Sequence, residues 1–236
     1  MEKTGRIHSL ETMGALDGPG LRMVVFLQGC PQRCRYCHNP DTWKQDGGQE
    51  MTAEEVARQA MKYKRFFGKN GGVTFSGGEP LMQAGFVTEC IKLLHEKGIH
   101  CAVDTSGGVW NDDVRALLDE ADLMLMDIKH SDAQGFEALT GGRFETLEKC
   151  LAHLRSTNKP VWIRQVIVEG FTQDEAQVRA IRTLTEGVNV IKTELLPYHT
   201  LGVHKWEALG IPYALKNVQP PSRETMERLR SIAEAK

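Results

Sequence analysis

The sequence predicts an α/β protein built on a parallel sheet. Three observations carry this. Short β-branched or apolar runs alternate with longer amphipathic stretches along most of the chain. Two of the runs, "DLMLMDI" and "VWIRQVIV", are nearly continuous in apolar residues, as strands buried on both faces must be. The 236 residues, 41% of them hydrophobic, suffice for a single large core. Repeated strand–helix units of this size specify parallel pairing. A doubly wound open sheet and a partial barrel both satisfy the pattern.

The elements follow in order. An N-terminal segment, residues 1–20, ends in the turn Gly18-Pro19-Gly20, and a strand begins at about Leu21 in "LRMVVFLQG". "TAEEVARQAMKYKRFF" is a helix with Thr52 and Glu55 placed as a capping box. "GGVTFSGG" is a strand running into a glycine turn. "QAGFVTECIKLLHEKG" is a helix capped at Gly98. Strand "IHCAVDTSG", helix "NDDVRALLDEA" and strand "DLMLMDIKH" come next. Helix "RFETLEKCLAHLRST", strand "PVWIRQVIVEG", helix "TQDEAQVRAIRTLTEG", strand "VNVIKTELLPYH" and helix "SRETMERLRSIAEA" complete the chain. The whole, 1–236, reads as one domain, with a cysteine loop at about 28–40 and flanking segments 1–20 and 200–236.

Composition excludes some functions. A formal net charge of −2 gives no global attraction to nucleic acid or an anionic membrane. The N-terminus has no apolar signal region, and no apolar run reaches bilayer length, so a cytoplasmic protein is expected. Six cysteines in a reducing compartment are thiols or ligands rather than disulfides. Cys90, Cys101 and Cys150 stand singly and read as small buried hydrophobes.

In parallel α/β folds chemistry sits at the carboxyl ends of strands. Polar residues fall there repeatedly. Cys30 follows the first expected strand and Gly77-Gly78-Glu79 the second; Asp104-Thr105 closes the third, and Asp127 with Lys129 the fourth. Arg164 lies within the fifth and His199 follows the sixth.

The loop after the first strand, "CPQRCRYCHNP", holds Cys30, Cys34 and Cys37 in a C-x3-C-x2-C spacing, followed by His38. Three readings compete. C-x-x-C-H is a haem attachment pattern, but it leaves Cys30 unexplained. Three thiolates and His38 could close a tetrahedral zinc site, but structural zinc ligands usually come as two separated pairs and no second pair is present. A [4Fe–4S] cluster with three cysteine ligands leaves one iron open for a small-molecule ligand, and an open metal position signals chemistry.

"CPQRCRYC", with an aromatic before the third cysteine, together with "SGGEP" at Ser76–Pro80, resembles the signature of the radical S-adenosylmethionine (SAM) superfamily. "GRIHSLETMGALDGPGLRMVVFLQGCPQRCRYCHNPDTW" and "ELLPYHTLGVHKW" resemble the activases of glycyl-radical enzymes, and among them the formate-lyase branch. Residues 38–76 contain no cysteine, so the ferredoxin-like insert of some related activases is absent.

The resemblance implies an incomplete parallel (β/α)6 barrel and a specific chemistry. Cys30, Cys34 and Cys37 would hold the cluster, and SAM would chelate its free iron. One electron would cleave SAM, and the resulting radical would abstract a Gly α-hydrogen from formate-lyase. A flavodoxin or ferredoxin would supply the electron. Another glycyl-radical protein or a small molecule is the alternative substrate, and a non-catalytic zinc protein the alternative class. Tyr36, His38, Gly77, Gly78, Glu79, Asp127, Ile128, Lys129, Arg164 and His199 would border SAM, with the two glycines admitting close backbone approach. Asp104, Thr105 and Asp127 could gather a hard, monovalent cation. Arg164 needs an anionic partner, either the SAM carboxylate or a neighbouring acid. Asp17 is a turn residue or lies near the substrate peptide, and His204, Lys205 and Trp206 fall where a protein substrate could dock.

Overall fold

Alternating strands and helices appear in the computed structural model, which describes residues 3–234. The strands are β1 (Thr4–Gly14), β2 (Arg22–Leu27), β3 (Gln49–Thr52), β4 (Gly72–Gly77), β5 (His100–Thr105), β6 (Leu123–Asp127), β7 (Val161–Ile167) and β8 (Val190–Pro197). The helices are α1 (Ala53–Phe67), α2 (Ala84–His95), α3 (Asp112–Glu120), α4 (Ala133–Thr140), α5 (Phe144–Thr157), α6 (Glu175–Leu184), α7 (Val203–Ala208) and α8 (Arg223–Glu234). Met1, Glu2 and Lys236 of the expected flanking segments, and Ala235 of the expected last helix, lie outside the described residues.

The sheet order is β3-β1-β2-β4-β5-β6-β7-β8. It has two ends and does not close. The six expected strands, β2 and β4 to β8, run consecutively within it, and the pairs β2/β4, β4/β5 and β7/β8 are parallel. The incomplete parallel barrel that the resemblance implies agrees with this mostly parallel α/β sheet, which does not close. β1 and β3 are additions that pair antiparallel outside β2. Neither has a β-branched run: β1 reads "TGRIHSLETMG" with Gly5, Ile7 and Gly14 as its buried positions, and β3 is the four residues "QEMT".

The described residues gather into two compact units. The first comprises those of Met1–Pro31, Thr42–Thr105 and Val109–Leu125, and the second those of Gln32–Asp41, Ser106–Gly108 and Met126–Lys236.

In the first unit Met23, Val24, Val25, Leu27, Val73, Phe75, Ala102 and Val103 are all fully buried, which explains the unbroken apolar runs. α1 starts with the expected capping box: Glu55 N–H donates to Thr52 Oγ1 at 3.2 Å, and Thr52 N–H to Glu55 Oε2 at 2.9 Å. Gly98 adopts φ +65°, but α2 itself ends at His95.

Arg22 belongs to no sequence motif, and its side chain is wholly buried. Its guanidinium donates to Thr74 Oγ1 (2.6 Å), Pro19 O (3.0 Å), Val73 O (2.7 Å) and His100 O (3.2 Å). Thr74 Oγ1 in turn donates to Asp17 O at 2.6 Å. Burial lowers the Arg22 pKa to about 10, against the pull of Cys101, Asp122 and Asp17, so it remains charged at neutral pH. Arg22 thus ties the β1–β2 turn to the amino ends of β4 and β5. Arg22→Met would leave several buried acceptors without donors and is expected to cost about 3 kcal/mol or more. Urea unfolding checks this, and a loss below about 1 kcal/mol would refute the assignment.

In the second unit α6 and α8 cover one face of β7 and β8 through Val178, Met226 and Leu229 against Ile167 and Leu195. Val166, one residue earlier on β7, points to the opposite face and packs with Tyr36, Leu139 and Tyr198.

Candidate functional site

In the first unit the site begins where β2 ends. Gly77 adopts φ +107°, and a Cβ on it would lie 2.7 Å from Leu27 O. A Cβ on Gly78 would meet the carbonyl of Gly29, its carbon at 2.8 Å. The immediate constraint on this glycine pair is therefore the exit of β2. Gly78 N–H donates to Leu27 O at 2.8 Å and Glu79 N–H to Gly29 O at 2.9 Å. Glu79 is no surface acid: it is 1% exposed, and its Oε1 accepts from Leu81 N (3.1 Å) and Thr105 Oγ1 (2.5 Å). Asp104 Oδ2 accepts from Ser76 Oγ at 3.0 Å. The loop after β4 and the end of β5 are thus built around Glu79.

Asp17 is not brought to this end. It lies in the turn ahead of β2, whereas Cys30 follows β2's carboxyl end. Cys101 belongs to that opposite region too: His95, Cys101 and Asp122 place one ligand atom each within 4.8 Å. Asp122 Oδ2 there accepts from Cys101 N (2.7 Å) and His95 Nε2 (2.9 Å) and ties α2 to β5.

In the second unit the cysteine loop is held by elements that the sequence reading missed. Arg33 N–H and Arg35 N–H donate to Thr140 O (2.7 Å) and Leu139 O (3.0 Å) at the end of α4. Cys37 N–H closes a turn onto Cys34 O at 3.0 Å. Trp206 of α7 is 4% exposed and donates its indole N–H to Cys37 O at 2.8 Å. Lys205 Nζ reaches Asn39 Oδ1 (2.9 Å) and Asp41 Oδ2 (3.0 Å). The expectation of a docking surface at His204–Trp206 is thereby corrected for two residues: Lys205 and Trp206 clamp the cysteine loop, and His204 alone is exposed.

Tyr36, Asp127, Lys129, His38 and His199 lie in the same unit. Lys129 forms an ion pair with Asp127, and its Nζ stands 5.4 Å from the Tyr36 ring centroid. Burial alone would lower the Lys129 pKa; Asp127, with Tyr36 and Cys34, outweighs it and holds the ammonium well above its usual range. Burial also pushes the Tyr36 hydroxyl well up. The His38 ring stacks on His199 with centroids 4.0 Å apart and a 12° interplanar angle. His38 Nε2 donates to His199 O at 3.1 Å. Burial, then the neighbouring His199, lowers the His38 pKa, which keeps the ring neutral at pH 7. Ile128 N–H donates to Arg164 O at 2.8 Å. Arg164 has found a neighbouring acid, with Nε 3.5 Å from Glu194 Oε2 on the paired strand.

These residues suit a polar ligand. Tyr36 Oη, Asp127 Oδ1 and His199 Nδ1 are buried without a hydrogen-bond partner in the chain. Buried polar atoms of this kind call for a partner. None of the six cysteines is in a disulfide, so the loop's three thiols remain ligand groups. Among the described residues no helix is long and apolar enough to cross a membrane.

Comparison with known proteins agrees with this geometry. Residues 24–180 match the radical SAM superfamily. A pyruvate formate-lyase-activating enzyme of Clostridium pasteurianum is 44% identical over 227 residues, covering 95% of each chain. The pyruvate formate-lyase 1-activating enzyme of Escherichia coli K12 is 43% identical over 239 residues, 99% of this chain and 97% of that one. The crystal structure of a domain of the pyruvate-formate lyase-activating enzyme from Bacteroides vulgatus superposes with TM-score 0.56 at 25% identity, over 69% of this chain and 92% of its own. Streptococcus suis SuiB, solved with its precursor peptide SuiA, shares the fold at TM-score 0.68 and 14% identity, over 88% of this chain and 44% of its own. A three-cysteine loop at the end of β2, a Gly-Gly-Glu turn at the end of β4 and near full-length similarity together place the chain in the radical SAM superfamily and, within it, among the pyruvate formate-lyase-activating enzymes.

Proposed function

We propose that the protein is a glycyl-radical activase whose substrate is formate-lyase. The near full-length similarity to formate-lyase-activating enzymes carries this reading. Cys30, Cys34 and Cys37 hold a [4Fe–4S] cluster with one open iron, where SAM binds. When bound, this pair supplies one-electron cleavage of SAM and abstraction of a glycine α-hydrogen.

The chain's own residues then have definable tasks. Trp206 and the carbonyls of α4 fix the cysteine loop, so the thiols need little reorganisation to bind metal. Asp127 Oδ1, Tyr36 Oη and His199 Nδ1 offer acceptor and donor groups to the polar parts of SAM, and Lys129 pairs with Asp127. His38 stacks on His199 and sets the orientation of its ring. Gly77, Gly78 and Glu79 shape the turn after β4. Arg164, already paired with Glu194, is a weaker anchor for a carboxylate than an unpaired Arg would be. A cation at the Asp127 carboxylate would have to compete with Lys129 for it. Flavodoxin or ferredoxin is the proposed electron donor.

The test is anaerobic incubation of the reconstituted protein with SAM, reductant and formate-lyase. The expected result is a glycyl-radical electron paramagnetic resonance signal on the lyase. SAM cleavage without that signal, but with radical formed on another glycyl-radical protein, would reassign the substrate.

A further inference from the structure

Backbone at the end of a strand normally turns to water for its hydrogen bonds. The residues leading into Cys30 do not. Leu27 O accepts from Gly78 N (2.8 Å), Gln28 N donates to Arg6 O (2.9 Å), and Gly29 N donates to Thr42 O (2.7 Å). Gly29 O accepts from Glu79 N (2.9 Å), and Cys30 N donates to Trp43 O (3.3 Å). In this series one group is held by a side chain: Gln28 O accepts from Gln83 Nε2 at 2.9 Å.

Gln83 ends the 3-10 turn Pro80–Gln83 that follows Glu79. Its amide is fully committed. Nε2 also donates to Arg6 O (2.9 Å), and Oε1 accepts from Arg6 N (2.8 Å). Arg6 O is the same carbonyl that receives Gln28 N–H, so one side chain closes a ring of bonds around Gln28. The ring sits beside the point, between Ile7 and Ser9, where the β1–β2 register shifts. An antiparallel ladder cannot supply the missing bonds at such an irregularity. A primary amide can, since it offers both a donor edge and an acceptor edge.

We infer that Gln83 is a positioning residue for the cluster. By holding the carbonyl of Gln28 and the backbone of Arg6 it fixes the path of the chain into Cys30, and so the direction from which the Cys30 thiolate meets iron. The inference rests on the proposed cluster at Cys30. Fixing a ligand's approach from behind strengthens metal retention and tunes the metal's electronic properties.

The test uses the full-length, anaerobically reconstituted enzyme with Gln83→Glu and Gln83→Met. The first sets carboxylate oxygens against the carbonyls of Gln28 and Arg6. The second keeps the length of the side chain but has no donor, and it serves if the first does not fold. Iron release from the reduced cluster to a chelator is measured well below the unfolding temperature, beside the resonance spectrum of the reduced cluster and thermal unfolding. The expected result is release about tenfold faster than the parent, the scale of one buried carbonyl losing its donor, with an altered cluster spectrum. A spectrum identical to the parent's, with release unchanged or following only the unfolding temperature, would overturn the inference and leave Gln83 a fold residue. A parent without iron and sulfide, or a Cys30→Ala enzyme retaining the full cluster, would instead overturn the cluster reading and this inference with it. A Cys30-dependent cluster with unaltered Gln83 variants overturns the inference alone.

Discussion

Replacing Cys30, Cys34 or Cys37 with Ala is expected to abolish SAM cleavage and to strip most of the iron from the protein. This is the largest effect expected of any single substitution. A cube held by three protein thiolates cannot lose one and keep a defined open iron. The other cysteines provide the contrast. Cys90, Cys101 and Cys150 are each fully buried, and burial pushes the Cys90 and Cys101 thiols far up. Buried neutral thiols are poor ligands and behave as small hydrophobes. Trimming one to Ala costs about 1 kcal/mol of stability, a cavity effect, and leaves catalysis intact. Iron and sulfide analysis with an anaerobic SAM-cleavage assay measures both sets. A Cys34→Ala enzyme cleaving SAM at the parent rate would remove the basis for the assignment.

Gly78→Val is expected to lose iron as well as SAM affinity. Were the glycine needed only to let a ligand approach, a bulky side chain there would weaken SAM binding and spare the cluster. The Cβ would instead collide with the carbonyl of Gly29, the residue before Cys30. Backbone cannot yield as a flexible side chain does, so β2's exit must shift, at a cost of about 1–3 kcal/mol for overpacking. The shift passes directly to Cys30, a proposed cluster ligand. Iron content after reconstitution and SAM affinity, measured on the same preparation, separate the two accounts. Full iron with impaired SAM binding would show that Gly78 serves the ligand alone.

Much of the fold could be read from local pattern. The six strands β2 and β4 to β8, the long helices and the capping box at Thr52 and Glu55 each depend on residues near in sequence. β1, β3, α4 and α7 could not be read in the same way. β3 has four residues and α7 six, and the alternation of β1 is broken at its register shifts, between Ile7 and Ser9 and between Glu11 and Gly14. Such elements are stabilised by what they pair with, and their own composition carries little signal.

The candidate site divides along the same line. The sequence by itself determined the candidate groups: three thiols at a spacing that suits one cluster, a Gly-Gly-Glu turn after the next parallel strand, and polar residues at successive strand ends. Those features are local because a ligand loop and a tight turn each fit within a few residues. Only the tertiary structure decided who supports them. Trp206 reaches Cys37 across 169 residues of chain, Gln83 reaches Gln28 across 55, and Arg22 reaches His100 across 78. Glu79 became a buried acceptor for Thr105, Arg164 took Glu194 as its partner, and Asp17 went to the amino end of β2. The physical reason is common to all of them. A donor's identity limits what it can bond, but the sheet register and the packing of helices choose which acceptor lies within 3 Å of it, and that choice is made by the whole chain at once.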